Sequence, residues 1–172
     1  MPVTTGTAKV TLPSDLQILI TREFDAPRHL VYRAWTTPEL VERWWAGHQG
    51  KLRSVDIDLR VGGRWRYVMD HAEGPEIAFH GVYRELVPGE RIVNTEVFEM
   101  PGSGIGPEDD DNAALNIVTL VDVDGRTRLE LMIETDTKEL RDIILESGME
   151  VGMQQQFDIL DQLTVSLRDT DG

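Results

Sequence analysis

Residues 148–167 read GMEVGMQQQFDILDQLTVSL, with Met149, Met153, Phe157, Leu160, Leu163 and Leu167 recurring at steps of three and four. That spacing stacks them on one face of an α-helix. Gln154, Gln155, Asp158, Asp161 and Gln162 fall mostly on the other side. A helix of about five turns with so broad an apolar stripe must lie on an apolar surface. The partner large enough is a sheet built from the middle of the chain.

Working outward, residues 16–24 alternate, Leu16, Ile18 and Ile20 against Gln17 and Thr21, as a first strand. Asp25 is expected to cap a helix with Pro27 in its first turn and Leu30, Val31, Ala34 and Trp35 buried. Thr36 or Thr37 caps a second short helix from Pro38, with Leu40, Val41, Trp44 and Trp45 inward and Gly47 at its end. Val55, Ile57, Leu59 and Val61 then alternate with polar residues, and Gly62-Gly63 reads as a tight hairpin turn. Further strands follow over 65–69, 77–83, 92–98, 115–123 and 127–134, the last two joined by Asp124-Gly125. Residues 101–112 are rich in Gly, Pro and acid and read as a solvated, mobile loop. A short helix over 137–147 precedes Gly148.

Strands joined by short turns are antiparallel. The expected fold is α+β: a curved antiparallel sheet of six to seven strands wrapped around a long C-terminal helix, with two short helices after the first strand. No repeat or composition shift divides residues 1–172, so one domain is expected, with 1–14 a flexible terminus or an edge strand through Val10 and Leu12.

A chain of 172 residues can bury roughly 70% of its unfolded surface, enough for a full core and a modest pocket. Hydrophobic content of 40% and charged content of 28% are ordinary for a globular protein. No apolar run reaches the ~18–20 residues of a membrane span. Residues 1–15 lack the apolar core of a secretory signal, so a cytoplasmic location is expected. The net charge of −14, with 17 Lys plus Arg, argues against nucleic acid and anionic membrane as partners. The absence of cysteine excludes disulfides and thiolate chemistry.

Several stretches together resemble one family: Thr11-Leu12-Pro13-Ser14-Asp15, Ile20-Thr21-Arg22, Phe24-Asp25-Ala26-Pro27, Ala34-Trp35-Thr36, Pro38-Glu39-Leu40, Arg43-Trp44-Trp45, Asp58-Leu59-Arg60 with Gly62-Gly63, Gly81-Val82-Tyr83, Glu90-Arg91-Ile92-Val93, Gly148-Met149-Glu150 and Gly152-Met153. The chain is similar to the homologues of the heat-shock protein 90 ATPase activator, within the START-like, or SRPBCC, superfamily. The resemblance runs from about Thr11 to Leu167. It implies the helix-grip fold, a deep cavity for hydrophobic ligands and, through the family's name, the stress response. Superfamily members include lipid carriers, polyketide cyclases, hormone receptors and self-resistance proteins, so it does not imply one activity. The eukaryotic activator carries a further N-terminal domain that engages the chaperone, for which this length leaves no room. The enlarged acidic 101–112 loop and Ala46-Gly47-His48 depart from the usual family pattern, at places that could rim a cavity mouth.

The candidate chemistry is sparse. His29, His48, His71 and His80 show no zinc-site spacing, so no metal is expected. Alternation with Phe79 places His80 on the outer, solvent face. Gly62-Gly63 joins two strands and is no phosphate cradle, and no serine sits in a nucleophile elbow. Asp56, Asp58, Glu96, Glu130 and Glu134 read mostly as the wet face of the sheet. The candidate ligand-binding residues are Trp44, Trp65, Tyr67, Met69, Phe79, Tyr83, Gly152, Met153 and Phe157, most of which would also serve as core. Arg22 and Arg66 are weaker candidates for pairing with a ligand's acid group. The favoured function is non-catalytic binding of a small hydrophobic molecule in an internal cavity between sheet and C-terminal helix, without cofactor, by a monomer or homodimer. The alternatives are a cyclase- or aromatase-type enzyme using the same cavity and a protein-interaction module, with a chaperone partner the least favoured.

Overall fold

In the computed structural model the described residues are 8–47, 50–71, 74–99, 102–111 and 113–171. His48, residues 72–73, Pro101 and Asn112 at the ends of the acidic segment, and the first half of the expected N-terminal tail lie outside them.

The chain begins with β1 (Lys9–Thr11) and β2 (Gln17–Phe24), continues through α1 (Arg28–Thr36) and α2 (Pro38–Trp44), and enters a run of six strands. These are β3 (Gly50–Ile57), β4 (Arg64–His71), β5 (Ile77–Val87), β6 (Arg91–Glu99), β7 (Ala114–Val123) and β8 (Arg126–Glu134). Helices α3 (Lys138–Glu146) and α4 (Met149–Asp171) close the chain. All strands form one antiparallel sheet in the order β1-β2-β8-β7-β6-β5-β4-β3. The count reaches eight because Lys9–Thr11 pairs with β2, Lys9 opposite Thr21. The curved sheet and the long helix are those of the helix-grip fold.

The apolar stripe of α4 explains this packing. Met153, Phe157, Leu160 and Leu163 are buried, while Met149 and Leu167 pack at the two ends. Phe157 meets Phe24 of β2 edge to face, with ring centroids 5.7 Å apart, and touches Trp35 and Trp44 from the two short helices. On the helix's flank the Arg22 side chain is enclosed and pairs with Asp158 at 2.9 Å and Asp161 at 3.5 Å. Arg22 is therefore committed to the fold, and the reading of it as a ligand contact is corrected.

Local chemistry accounts for several boundaries. Asp124 and Gly125 both take positive φ, 53° and 84°, the backbone of the tight hairpin turn that this dipeptide favours. Thr137 caps α3, its Oγ1 accepting from Leu140 N at 3.1 Å. Asp25 does not cap α1. The helix starts three residues later, Pro27 holds the N-cap position, and the Asp25 carboxylate lies 3.4 Å from both Arg126 and Arg168. Strand β3 ends at Ile57, so Leu59 and Val61 belong to a longer connection and are exposed, Val61 by 62%. No helix among the described residues is long and apolar enough to cross a membrane.

Gly81 sits where β5 comes closest to β6. A Cβ there would lie 1.8 Å from the Thr95 carbonyl oxygen and 2.6 Å from Trp65 Nε1. The missing side chain lets the Trp65 indole donate to that same carbonyl at 3.1 Å. This contact orients one wall of the pocket described next.

Candidate functional site

Three strands supply the floor of an internal pocket. Tyr83 on β5 pairs with Asn94 on β6, and Asn94 pairs with Asn116 on β7, so the three form one polar row across the sheet. Glu96 stands two residues along β6, and Asn116 Nδ2 donates to its Oε1 at 3.0 Å. Asn94 Nδ2 is spent on the Thr95 carbonyl at 3.0 Å. Around this floor stand Tyr67, Trp65 and Ile92 from the sheet, Trp35 from α1 and Trp45 just past α2. The pocket is thus roofed by the short helices, and no residue of α4 lines it. Its volume is about 30 Å³, the share of one water molecule in the liquid and far below the ~300–1,000 Å³ of a drug-sized site.

An aromatic path leads outward from the pocket. Trp45 packs edge-on against Tyr67 at 5.1 Å and Phe79 at 4.8 Å, and Phe79 stacks on Phe98 at 4.9 Å. Phe98 is exposed, so the path ends at the surface.

The electrostatics of the pocket are one-sided. Burial raises the Glu96 carboxyl above its ordinary value, and the Asn116 hydrogen bond offsets this only in part. Among the described residues no Lys, Arg or His lines the pocket to compensate its charge. Tyr67 donates to the Tyr83 hydroxyl. Burial, foremost, pushes both phenols upward, so both stay protonated at neutral pH. Trp35 Nε1 is enclosed without a hydrogen-bond partner.

Of the residues singled out from sequence, Trp65, Tyr67 and Tyr83 line this pocket and Phe79 stands on the aromatic path. Trp44 lies deeper, its indole donating to the Ala34 carbonyl at 2.9 Å. Met69, Met153 and Phe157 are core, and Gly152 is in the first turns of α4 outside the lining. Trp35, Trp45, Ile92, Asn94, Glu96 and Asn116 were not anticipated as site residues. The signal for Ile92, Asn94 and Glu96 was the pattern of residues 92–98: these three share a face, and Val93, Thr95 and Val97 share the other. Glu96 therefore lines the pocket and is not on the wet face of the sheet.

The outer face carries a second cluster, and it corrects the reading of His80. His80 is 1% exposed because residues 107–110 fold over it. Its Nδ1 faces Glu99 Oε2 and its Nε2 faces the Asp109 carbonyl oxygen. Arg66 makes two hydrogen bonds to the Glu99 carboxylate, at 2.8 and 3.1 Å, so this arginine is also engaged in the fold. Arg64 binds Asp110 through both terminal nitrogens, at 2.9 and 3.3 Å. The acidic segment is mostly exposed, as expected, but it is tied to the sheet at these points. Among the described residues no group of three His, Asp or Glu stands in metal-holding proximity.

The family profile described as "Activator of Hsp90 ATPase homolog 1-like protein" matches residues 25–164, most of the chain. The chain belongs to this family. Its fold is shared by solved structures. A Mycobacterium smegmatis protein, Ms6760, is 26% identical with a TM-score of 0.78, over 94% of this chain and 96% of that one. Protein CV1439 of Chromobacterium violaceum is 29% identical with a TM-score of 0.71, over 86% and 96%. A Rhodobacter sphaeroides protein, at 22% identity, superposes with a TM-score of 0.81 over 93% and 99%. No curated protein sequence matches significantly. Family membership accounts for the sheet-and-helix frame.

Proposed function

We propose that this protein binds a small, mainly apolar molecule bearing a polar head, with the head in the pocket between the α1–α2 pair and the concave face of the sheet. The observation that carries the reading is the row Tyr83, Asn94 and Asn116 with Glu96 beside it, set among three indoles. Buried polar side chains cost stability unless they are satisfied, and a mostly aromatic wall with a few placed polar groups is the composition of ligand sites. The aromatic path through Trp45, Phe79 and Phe98 offers the guest's apolar body a way to the surface.

The enzyme alternative draws its support from Glu96, an inward-facing acid with a raised pKa. It lacks a matched base: the two phenols of the pocket hold their protons and no imidazole or amine lines it. Binding without turnover is therefore the reading the geometry supports best.

The test is titration with a neutral environment-sensitive naphthalene dye, followed by its emission. Saturable binding at one site per chain is expected, weakened at least about tenfold by Trp45→Ala or Asn116→Leu in a protein that still melts cooperatively. Absence of saturable binding, or binding indifferent to both substitutions, would refute the reading.

A further inference from the structure

Resting on that reading, we infer that the head of the guest is a cationic amine, paired with Glu96 inside the indole-lined pocket. Four features converge on this chemistry. First, the described lining residues include one acidic group and no basic one, so an anionic head would meet a carboxylate with none of them to neutralise it. Second, each floor amide commits one of its two N–H donors within the protein. Asn94 Nδ2 serves the Thr95 carbonyl, Asn116 Nδ2 serves Glu96, and Tyr67 serves Tyr83. Each amide keeps an oxygen, so the floor is rich in acceptors, which suits an ammonium with three donors and no acceptor. The Trp35 N–H in the roof is an enclosed donor without a partner.

Third, Trp35, Trp45, Trp65, Tyr67 and Tyr83 bring five electron-rich rings to one small space, and aromatic rings attract desolvated cations. Fourth, a volume of about 30 Å³ is that of a water-sized group, and a primary ammonium is water-sized. The amine would turn a buried acid with a neutral partner into a hydrogen-bonded ion pair, in which breaking either half is costly. The chain's net charge of −14 adds a long-range field favouring cations. Because amine pairing needs the Glu96 carboxylate and burial raises that group's pKa, amine affinity is lost as pH falls through the Glu96 titration.

The experiment is calorimetric titration of the full chain with three probes of similar shape: 2-phenylethylamine, 2-phenylethanol and 3-phenylpropanoate. The amine is expected to bind at least about tenfold tighter than the alcohol, and the carboxylate weakest of all. Glu96→Gln, which keeps shape and volume, is expected to abolish the amine's advantage over the alcohol. Alcohol or carboxylate binding as tight as the amine, no amine binding, or an amine preference that survives Glu96→Gln would each overturn the inference. If dye binding persists in any of those outcomes, the amine alone falls; if dye binding is absent as well, the pocket reading falls with it.

Discussion

His80 Nδ1 lies 2.6 Å from the Glu99 carboxylate, and Nε2 on the ring's other side lies 2.6 Å from the Asp109 carbonyl oxygen. The ring thus bridges a carboxylate and a backbone carbonyl. One side chain thereby joins β5, β6 and the acidic segment. His80→Ala is expected to cost about 2 kcal/mol, the range of hydrogen bonds to charged groups, and to open residues 102–111 to proteases. Urea denaturation and limited proteolysis check this; an unchanged midpoint with no new cleavage would show that the ring does not hold the segment.

Glu99 sets a second expectation, at acid pH. Burial works to raise its pKa, but the hydrogen bonds from Arg66 and His80 outweigh burial and leave it lowered. A lowered carboxylate contributes stability above its unfolded pKa and loses it as pH falls through the folded value. Glu99→Gln should therefore be less stable than the parent at pH 7 and should converge with it in strong acid. Parallel curves of melting temperature against pH would contradict this.

Glu96 reverses the sign. Its pKa is raised by burial, so its contribution is fully present below the unfolded pKa and is lost as pH rises through the folded one. Glu96→Gln removes that loss. The variant is expected to melt above the parent at pH 8, with the difference vanishing toward pH ~4, near the ordinary value for Glu. A variant that melts lower at pH 8 would mean that the carboxylate has a stabilising partner.

Gly81→Ala tests the close approach of β5 and β6. The added Cβ would lie 1.8 Å from the Thr95 carbonyl oxygen, which is backbone and cannot turn aside. A loss of roughly 1–3 kcal/mol or more is expected, as for other overpacked sites, with a shift in tryptophan emission as Trp65 leaves its carbonyl partner. A full-strength sheet with unshifted emission would contradict the geometry.

The periodic elements were legible before any coordinates. The steps of three and four in residues 149–167 identify α4 and its buried face, and Asp124-Gly125 identifies a hairpin, because both signals are local. The site was less legible because it depends on which face of a strand is covered. Alternation around Phe79 correctly separates His80 from the inner face, but alternation cannot reveal that a segment some thirty residues away folds over the outer face. For the same reason residues 92–98 read as mixed: Val93 and Val97 are buried on one face and Ile92 on the other, so hydrophobicity no longer distinguishes inside from outside. Trp35 and Trp45 read as core because a wall of a small pocket and a core residue have the same composition.

The ion pairs from Arg22 to Asp158 and Asp161 have a mechanical consequence. The two acids are three residues apart, about one turn of α4, and flank one enclosed guanidinium, so rolling or sliding the helix along the sheet would strip a buried charge of its partners. The long helix is the stator of this molecule. Any widening of the small pocket for a bulkier guest must come from the other side, by the α1–α2 pair lifting and swinging Trp35 and Trp45 away from the floor. Under the binding proposal, selectivity for guest size would rest on how firmly that short helical hairpin is seated, and substitutions beneath Trp44 would tune it without touching the guest.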